Sequence, residues 1–256
     1  MKIIVCGASG RMGKEVISLC KKKGIKLVGA IEASEHPYLG KEVEKGVKIG
    51  SNLERIIEKD SVIIEFTTPP ATLEHLKIAK KEKIPVVIGT TGFKEKEYLQ
   101  IEKASKDIPI LLSPNMSIGI NILFKLIKEI TQISGEEFDI EIIEIHHRGK
   151  KDAPSGTAKK IAEIIAKTKG RNLSQIGVYG RKGLKKRTNE EIGIHAVRGG
   201  SIIGEHTVIF AGEGERLEIT HRAESRQIFA RGAIRGAEFI IKQKKGLYTL
   251  QDALSN

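Results

Sequence analysis

Short apolar runs alternate with longer amphipathic segments in the first part of the chain. The runs are rich in β-branched side chains and lie at residues 2–6, 26–31, 61–66, 84–89 and 108–112. Nearly continuous apolar strands separated by helix-length segments indicate βαβ units, in which helices cover both faces of a parallel sheet. The first part of the chain is therefore predicted to be a doubly wound α/β domain.

The pattern changes after residue 113. A helix is predicted through 118–133, and FDIEIIEIHH at 138–147 alternates between apolar and polar positions, which indicates a strand with one buried face. The later elements are predicted as a helix near 155–168, strands near 175–180, 192–198, 203–211 and 214–221, a helix at 225–242 and a closing segment at 247–254. This succession favours an α+β domain with a mostly antiparallel sheet.

A length of 256 residues suits two domains, and 39% hydrophobic with 30% charged residues is ordinary globular composition. We expect residues 1–115 and 225–256 to form the first domain and residues 116–224 the second. The chain enters a strand and a glycine turn at once, and no apolar run approaches the roughly 18 residues that span a bilayer. A cytoplasmic protein without a membrane partner is expected, with Cys6 and Cys20 as small core residues.

The formal charge of +12 raises the question of nucleic-acid binding. Much of the positive charge is interleaved with Glu, as on solvated helix faces, and aromatic residues make up only 4%. Nucleic acid is therefore not predicted as a partner. A positive field would also attract a small anionic substrate.

The segment GASGRMG at 7–13 follows a predicted strand and opens a predicted helix. This context is typical of a Rossmann-type dinucleotide site. Gly7 would permit a tight turn, Gly10 the approach of the diphosphate, and Gly13 close packing of helix on strand. The first N–H groups of the helix would then hold the diphosphate, with Arg11 and Lys14 nearby.

Glu32 ends the second predicted strand, where an acidic side chain accepts hydrogen bonds from the adenosine ribose of NAD. Its charge favours NADH, although Arg11 and Lys14 could accept the 2′-phosphate of NADPH. The GTTG turn at 89–92 lies at the end of a later strand and is expected beside the nicotinamide ribose.

The stretch EIHHRGKKDAPSGTAKK at 144–160 concentrates histidines and positive charge before a turn. On a strand, His146 and His147 point to opposite faces, so at least one of them has a separate task. No metal is predicted, because no cluster of ligands at metal-binding spacing accompanies the pair and Lys150 would repel a cation.

The same stretch has the composition of a pocket for a small dicarboxylate. Pro154 and Ser155 resemble a helix start, and the N–H groups of Gly156 and Thr157 would then bind an anionic group. His147 or Arg148 together with Lys150 would complete a cationic cradle. A histidine and a lysine could also supply a proton there.

Several motifs in order along the chain resemble the 4-hydroxy-tetrahydrodipicolinate reductase (dihydrodipicolinate reductase) family of lysine biosynthesis. They are GASGRMG, IEFTTP at 64–69, GTTGF at 89–93, SPNMSIGIN at 113–121, the HHRxKxDAPSGTA run, and GEHTVIFAGEGERLEITHRAESR at 204–226. The resemblance implies hydride transfer from NADH, NADPH or both to a cyclic dicarboxylate, loss of water, and a homotetramer built through the sheets of the second domain.

The resemblance also implies site residues. His146 and Lys150 would be catalytic, and His147, Gly156 and Thr157 would bind substrate. The implied cofactor-binding residues are Gly7, Ala8, Ser9, Gly10, Arg11, Met12, Glu32, Gly89, Thr90, Thr91, Ser113, Pro114, Asn115 and Met116. Ala33 stands where many relatives have Arg, which removes one clamp for a 2′-phosphate.

Two other functions are compatible with parts of this pattern. Another dinucleotide-dependent oxidoreductase on an amino-acid-derived substrate, such as an aspartate or homoserine dehydrogenase, would share the glycine turn. A regulator that senses NAD or binds nucleic acid would share the turn and the positive charge.

Overall fold

The computed structural model describes residues 1–255. Its internal contacts group into two units. Unit 1 contains Met1–Ile118 and the segment from Arg226 onward, and unit 2 contains Gly119–Ser225.

The helices are α1 Arg11–Lys23, α2 Pro69–Glu82, α3 Glu95–Ser105, α4 Ile118–Ser134, α5 Gly156–Thr168, α6 Leu173–Ile176, α7 Gln227–Ile240 and α8 Leu250–Leu254. The strands are β1 Lys2–Cys6, β2 Lys26–Ile31, β3 Glu42–Glu44, β4 Val47–Gly50, β5 Ser61–Glu65, β6 Val86–Ile88, β7 Pro109–Leu112, β8 Asp139–His146, β9 Gly177–Tyr179, β10 Ile192–Arg198, β11 Glu205–Ala211, β12 Arg216–Arg222 and β13 Gly246–Tyr248. Among residues 1–255, no helix is both long and apolar enough to cross a membrane.

Unit 1 is built on an eight-stranded sheet in the order β13-β7-β6-β5-β1-β2-β4-β3. All neighbouring strands are parallel except β3 and β4, which form an antiparallel pair at one edge. Two apolar clusters in this unit each include side chains from β1, because successive side chains of a strand point to opposite faces. The predicted Rossmann-type doubly wound sheet is confirmed.

Unit 2 contains a five-stranded sheet in the order β12-β11-β8-β10-β9. The ladders β8–β11 and β11–β12 are antiparallel and join seven residues each, whereas the parallel ladders β8–β10 and β9–β10 join seven and three. The sheet is thus mostly antiparallel with a parallel side, and the predicted α+β class is confirmed. One face packs against apolar side chains of α4 and α5.

Predicted and observed elements differ mainly in short pieces. Strands β3, β4 and β13 and the single turn α6 were not predicted as separate elements or were predicted with other boundaries. These pieces have three or four residues each, so their periodicity is too short to be recognised. Cys6 and Cys20 are buried core residues, as predicted.

Candidate functional site

Five segments at the carboxyl ends of strands form one edge of the unit 1 sheet. The strands β1, β2, β5, β6 and β7 run parallel, so the residues that follow them lie along the same edge. Open α/β sheets bind ligands at this edge. All predicted cofactor-binding residues lie in or next to these segments.

The glycine turn between β1 and α1 has little room for side chains. Gly7 adopts a positive φ of 79°, and its N–H donates to the carbonyl of Ile31 over 2.9 Å. A Cβ on Gly13 would collide with the Gly7 carbonyl, so the helix packs directly on the turn. Because α1 begins right after Gly10, its first N–H groups lie at this turn. The arrangement fits a dinucleotide diphosphate.

Glu32 makes contacts that the sequence did not indicate. Its Oε1 accepts hydrogen bonds from the backbone N–H and the hydroxyl of Ser9, at 2.7 and 2.5 Å. The Ser9 hydroxyl also lies 2.9 Å from Nε2 of His36. Glu32 therefore braces the glycine turn as well as standing at the predicted ribose position.

A cavity of about 390 Å³ lies beside Ser9 in unit 1. The Lys41 ammonium stands 4.8 Å from the centre of the Tyr38 ring, and that of Lys14 stands 5.9 Å from it. The two lysines therefore provide positive charge near the adenosine end of the predicted site, where Ala33 replaces the Arg of many relatives.

A network of buried hydroxyl groups connects the turns after β5 and β6. The hydroxyl of Thr90 accepts from the Thr67 N–H at 3.1 Å and from the Thr72 hydroxyl at 2.9 Å. The Thr67 hydroxyl donates to Glu65 Oε2 at 2.8 Å, and Nδ1 of His75 lies 2.7 Å from Oε1 of the same carboxylate. The predicted cofactor turns are thus fixed by a carboxylate–histidine pair beneath them.

The segment after β7 has a similar internal arrangement. The buried Ser113 donates its hydroxyl proton to the carbonyl of Asn115 at 2.8 Å, and Oδ1 of Asn115 accepts from the N–H of Ser117 at 2.8 Å. The Met116 side chain is buried in the core of unit 1. Any contact between its side chain and a cofactor would require it to leave that core.

In unit 2, strand β8 separates the two adjacent histidines. His146 is the last residue of β8 and only 8% exposed, whereas His147 follows the strand and is half-buried. The two histidines therefore differ in burial, and only His146 belongs to the strand. His146 lies on the face that also carries Glu144, Ile142 and Ile140.

The sheet register brings two distant residues to the same place. Arg198 of β10 pairs with His146, and His206 of β11 pairs with Glu144. Paired residues direct their side chains to the same face of a sheet. A histidine pair, a carboxylate and an arginine from three strands therefore meet on the helix-covered face.

Glu144 is the centre of this group. Its Oε2 lies 2.5 Å from Nδ1 of His146, and both of its oxygens accept from the Arg198 guanidinium at 2.8 and 2.7 Å. Oε1 also accepts from the N–H of Ser155, at 2.9 Å. Burial opposes ionisation of Glu144, but these hydrogen bonds outweigh it and lower the pKa of the carboxyl to about 2.

His206 remains neutral beside this group. Its ring packs edge to face against His146 with 5.2 Å between centroids, and its Nε2 lies 3.0 Å from the Ser155 hydroxyl. Burial, followed by the charge of His146, lowers the pKa of His206 to about 3. Ser155 is in addition the N-cap of α5, since its hydroxyl accepts from the N–H of Ala158 at 3.1 Å.

The remaining predicted substrate residues lie in the loop after β8 and at the start of α5. Lys150 pairs with Asp152 at 2.8 Å, and this contact lowers the pKa of Asp152 against the opposing effect of burial. Gly156 and Thr157 are the first two residues of α5. The positive end of that helix therefore adjoins the Glu144–His146 group, as the cradle hypothesis requires.

One group of possible metal ligands occurs among residues 1–255: Cys6, Glu65 and His75, whose ligand atoms lie within 4.8 Å of one another. Burial, followed by the charge of Glu65, raises the pKa of the Cys6 thiol well above its usual range. A protonated thiol is a poor metal ligand. The group gives no local sequence signal, because its members are far apart in the chain.

The sequence did not predict four members of the unit 2 group as site residues: Glu144, Ser155, Arg198 and His206. For Ser155 it predicted only the role of helix cap. One signal was available: Glu144 precedes His146 by two positions on an alternating strand, which places both on one face. Arg198 and His206 gave no local signal, because their place depends on strand register.

Comparison with known families gives two matches that together cover nearly the whole chain. Residues 1–116 match the model described as dihydrodipicolinate reductase, N-terminus, and residues 119–254 match the model described as dihydrodipicolinate reductase, C-terminus. Among curated proteins, the 4-hydroxy-tetrahydrodipicolinate reductases of Syntrophus aciditrophicus and Trichlorobacter lovleyi are 47% and 45% identical, each over 99% of this chain and 98% of the relative.

Solved structures give a consistent picture. A dipicolinate-bound dihydrodipicolinate reductase from Paenisporosarcina sp. TG-14 superposes with a TM-score of 0.77 and 28% identity, over 98% of both chains. An amine dehydrogenase from Mycobacterium smegmatis has a TM-score of 0.62 but only 12% identity, over 98% of this chain and 95% of that one. The second similarity concerns the fold alone.

Proposed function

This chain belongs to the dihydrodipicolinate reductase family, and we propose that His146 and Lys150 are the acid groups of its reaction. It is an NAD(P)H-dependent oxidoreductase that reduces 4-hydroxy-tetrahydrodipicolinate in lysine and diaminopimelate biosynthesis. The predicted family, activity and cofactor class, NADH or NADPH, are thereby confirmed, and the hypotheses of another dehydrogenase or of a regulator are set aside.

The chemistry defines what the residues of unit 2 must do. The hydroxylated ring loses water, bound NAD(P)H supplies a hydride to the conjugated imine, and the ring carbon that gains electron density takes a proton. The protein must hold two carboxylates, stabilise the developing charge and deliver that proton. Groups for all three tasks occur in one region, which contains His146, His147, Lys150 and the start of α5.

One observation carries the assignment of the proton donor: His146 is buried against an ionised carboxylate and adjoins the start of α5. We assign substrate carboxylates to His147 and to the N–H groups of Gly156 and Thr157. Lys150 is the second acid, on a loop that is joined to the turn after β10 by the bond from Arg148 N–H to the Gly200 carbonyl at 3.2 Å.

In unit 1, the cofactor is assigned to the edge of the parallel sheet. The glycine turn at Gly7 to Met12 would hold the diphosphate, Glu32 the adenosine ribose, and the turns at Gly89 to Thr91 and Ser113 to Met116 the nicotinamide half. The support for this assignment is the tight turn at Gly7 and the packing of Gly13 on it.

The test is turnover of NAD(P)H with substrate freshly made by the preceding synthase. Lys150→Ala should lower kcat by roughly 10² or more, as expected for loss of an acid. Lys151→Ala removes the neighbouring exposed charge and should leave kcat within a factor of two. Calorimetric titration with dipicolinate then separates binding from chemistry. Equal activity of both variants would remove Lys150 from the mechanism.

The homotetramer implied by the family resemblance is supported by apolar side chains on the face of the unit 2 sheet that α4 and α5 do not cover. Ile143, Ile145 and Ile209 alternate with the core positions of β8 and β11, and Val197 of β10 is 46% exposed. A partly exposed apolar patch of this kind fits a second copy of the chain. Light scattering should give a tetramer for the native chain and for Leu184→Glu, a loop control, but a smaller species for Ile143→Glu.

A further inference from the structure

The carboxylate of Glu144 determines where the proton of His146 can lie. An ionised carboxylate accepts hydrogen bonds and cannot donate one. The nitrogen that faces it, Nδ1 of His146 at 2.5 Å, therefore carries a hydrogen in both the neutral and the cationic ring. Only Nε2 is then left to give up a proton and take one back.

Two contacts keep Glu144 in this role. Arg198 binds both carboxylate oxygens, in the two-pronged geometry that gives strong and directional ion pairs. The guanidinium is itself held by the Asp152 carbonyl at 2.6 Å. With no exposed surface, Glu144 cannot exchange these partners for water, so its orientation toward His146 is fixed.

The opposite side of the ring is left open by a glycine. A Cβ on Gly204 would stand 2.9 Å from Nε2 and 3.2 Å from Cδ2 of His146. That distance is shorter than a normal van der Waals contact, so any side chain here would press on the nitrogen that must exchange the proton. The missing side chain preserves access to Nε2.

We infer that Glu144 is a positioning residue that holds His146 as the Nδ1–H tautomer, and that Gly204 keeps Nε2 open for proton transfer. This inference rests on the proposed role of His146. When the cationic ring acts, the Nε2–H bond breaks, its electron pair stays on Nε2, and the enamine electron pair of the substrate forms the new C–H bond. His146 is left neutral with Nδ1–H on Glu144, and solvent returns the proton to Nε2.

The tautomer is measured directly by NMR on protein labelled with [15N]histidine, because protonated and unprotonated ring nitrogens have widely different 15N shifts. His146→Gln identifies the signals of His146 by their disappearance. We expect a single Nδ1–H form of the neutral ring in the native protein. A native His146 in the Nε2–H form would overturn the inference whatever the activity of any variant.

Two substitutions give the functional consequences. Glu144→Gln keeps the shape of the side chain but removes its charge, so it should produce a mixture of His146 tautomers. We expect kcat to fall about 10- to 100-fold with KM little changed, and the decline of kcat with pH to shift toward lower pH. The charged and titratable groups at His146 are Glu144 and His206, with Arg198 on Glu144. Lys150 and His221 act on His206, and Asp152 pairs with Lys150, so all six groups enter this profile.

Gly204→Ala tests the access to Nε2 independently. It leaves the buried charges balanced, so it remains informative even if Glu144→Gln fails to fold. It should lower kcat at least tenfold while the tautomer and NAD(P)H binding stay unchanged. Gly199→Ala is the control, since a Cβ there would meet nothing within 4 Å. Equal kcat in both alanine variants would overturn the role of Gly204. If Glu144→Gln kept the tautomer and the pH profile of the native protein, the role of Glu144 would be overturned. A fully active His146→Gln would instead refute the proposed function.

Discussion

Each unit of this reductase contains a buried carboxylate in contact with a histidine. In unit 1, Glu65 lies 2.7 Å from Nδ1 of His75, and in unit 2, Glu144 lies 2.5 Å from Nδ1 of His146. Neither carboxylate has exposed surface. The two pairs therefore share residue types, contact geometry and a buried carboxylate, and differ in their neighbours.

The pKa that is shifted belongs to a different member in each pair. Burial opposes ionisation of Glu144, but the hydrogen bonds from His146 and then Arg198 outweigh it and lower the pKa of this carboxyl to about 2. The neighbours of Glu65 include the neutral hydroxyl groups of Thr67 and Thr72. Burial opposes the charging of His75, but the hydrogen bond to Glu65 outweighs it and raises the pKa of His75.

The comparison teaches that a carboxylate–histidine pair is not by itself a catalytic device. An arginine and an open ring nitrogen suit the unit 2 pair to proton transfer. Hydroxyl groups that continue from Glu65 to Thr90 suit the unit 1 pair to holding the cofactor turns.

The largest expected difference is in turnover after loss of each histidine. His146→Gln should lower kcat by about 10²–10⁴, the usual contribution of a general acid, with NAD(P)H affinity retained. His75→Gln should change kcat less than tenfold but weaken NAD(P)H binding, because the cofactor turns lose a support. Steady-state kinetics and fluorescence titration of the cofactor check both, and equal losses of kcat would abolish the proposed division of roles.

The free energy of unfolding should depend on pH in opposite directions for His206 and Glu144 of unit 2 and for His75 of unit 1. The pKa of His206 is about 3 in the folded protein and near 6.5 in the unfolded chain. As pH falls below 6.5, the unfolded chain therefore takes up a proton at this residue before the folded protein does, and stability is lost. Glu144, with a folded pKa of about 2 against 4.5, adds a loss on the order of 3 kcal/mol as pH falls from about 5 to 2. His75, with a raised pKa, contributes stability below pH 6.5 that is lost as pH rises through its folded pKa.

Urea unfolding at several pH values measures these contributions. The stability difference between native protein and His206→Gln should shrink as pH falls from 7 to 4. The difference between native protein and His75→Gln should shrink as pH rises above 6.5. If both differences moved in the same direction, the assignment of opposite charge preferences would be wrong.

The smallest effect is expected from one hydroxyl of the unit 1 network. Thr72→Val removes the bond to Thr90 and should cost about 1–2 kcal/mol of stability with a severalfold weaker NAD(P)H affinity. Thr131→Val is a matched control, since its buried hydroxyl donates to the Ile127 carbonyl within α4. Equal cofactor affinity in the two variants would show that the network does not hold the cofactor turns.

Much of the fold was predictable from the sequence because its signals are local. Five parallel strands of unit 1 showed as apolar runs, and their common carboxyl edge follows from parallel βαβ connections. The glycine turn and the HHRGKKDAPSGT run are contiguous, so their residues remain neighbours in any fold that forms the predicted elements. The short strands β3, β4 and β13 carried too few residues to produce such a signal.

Local sequence patterns were enough to predict the two domain classes, the family, a cofactor edge in unit 1 and the placement of His146 at the end of a strand. The three-dimensional structure was needed to show that Arg198 stands beside His146, that His206 stands beside Glu144, and that Gly204 adjoins Nε2 of His146. Strand register is the physical reason: hydrogen bonds and burial across the whole sheet choose it, and residues about 50 or more positions apart meet only after that choice is made.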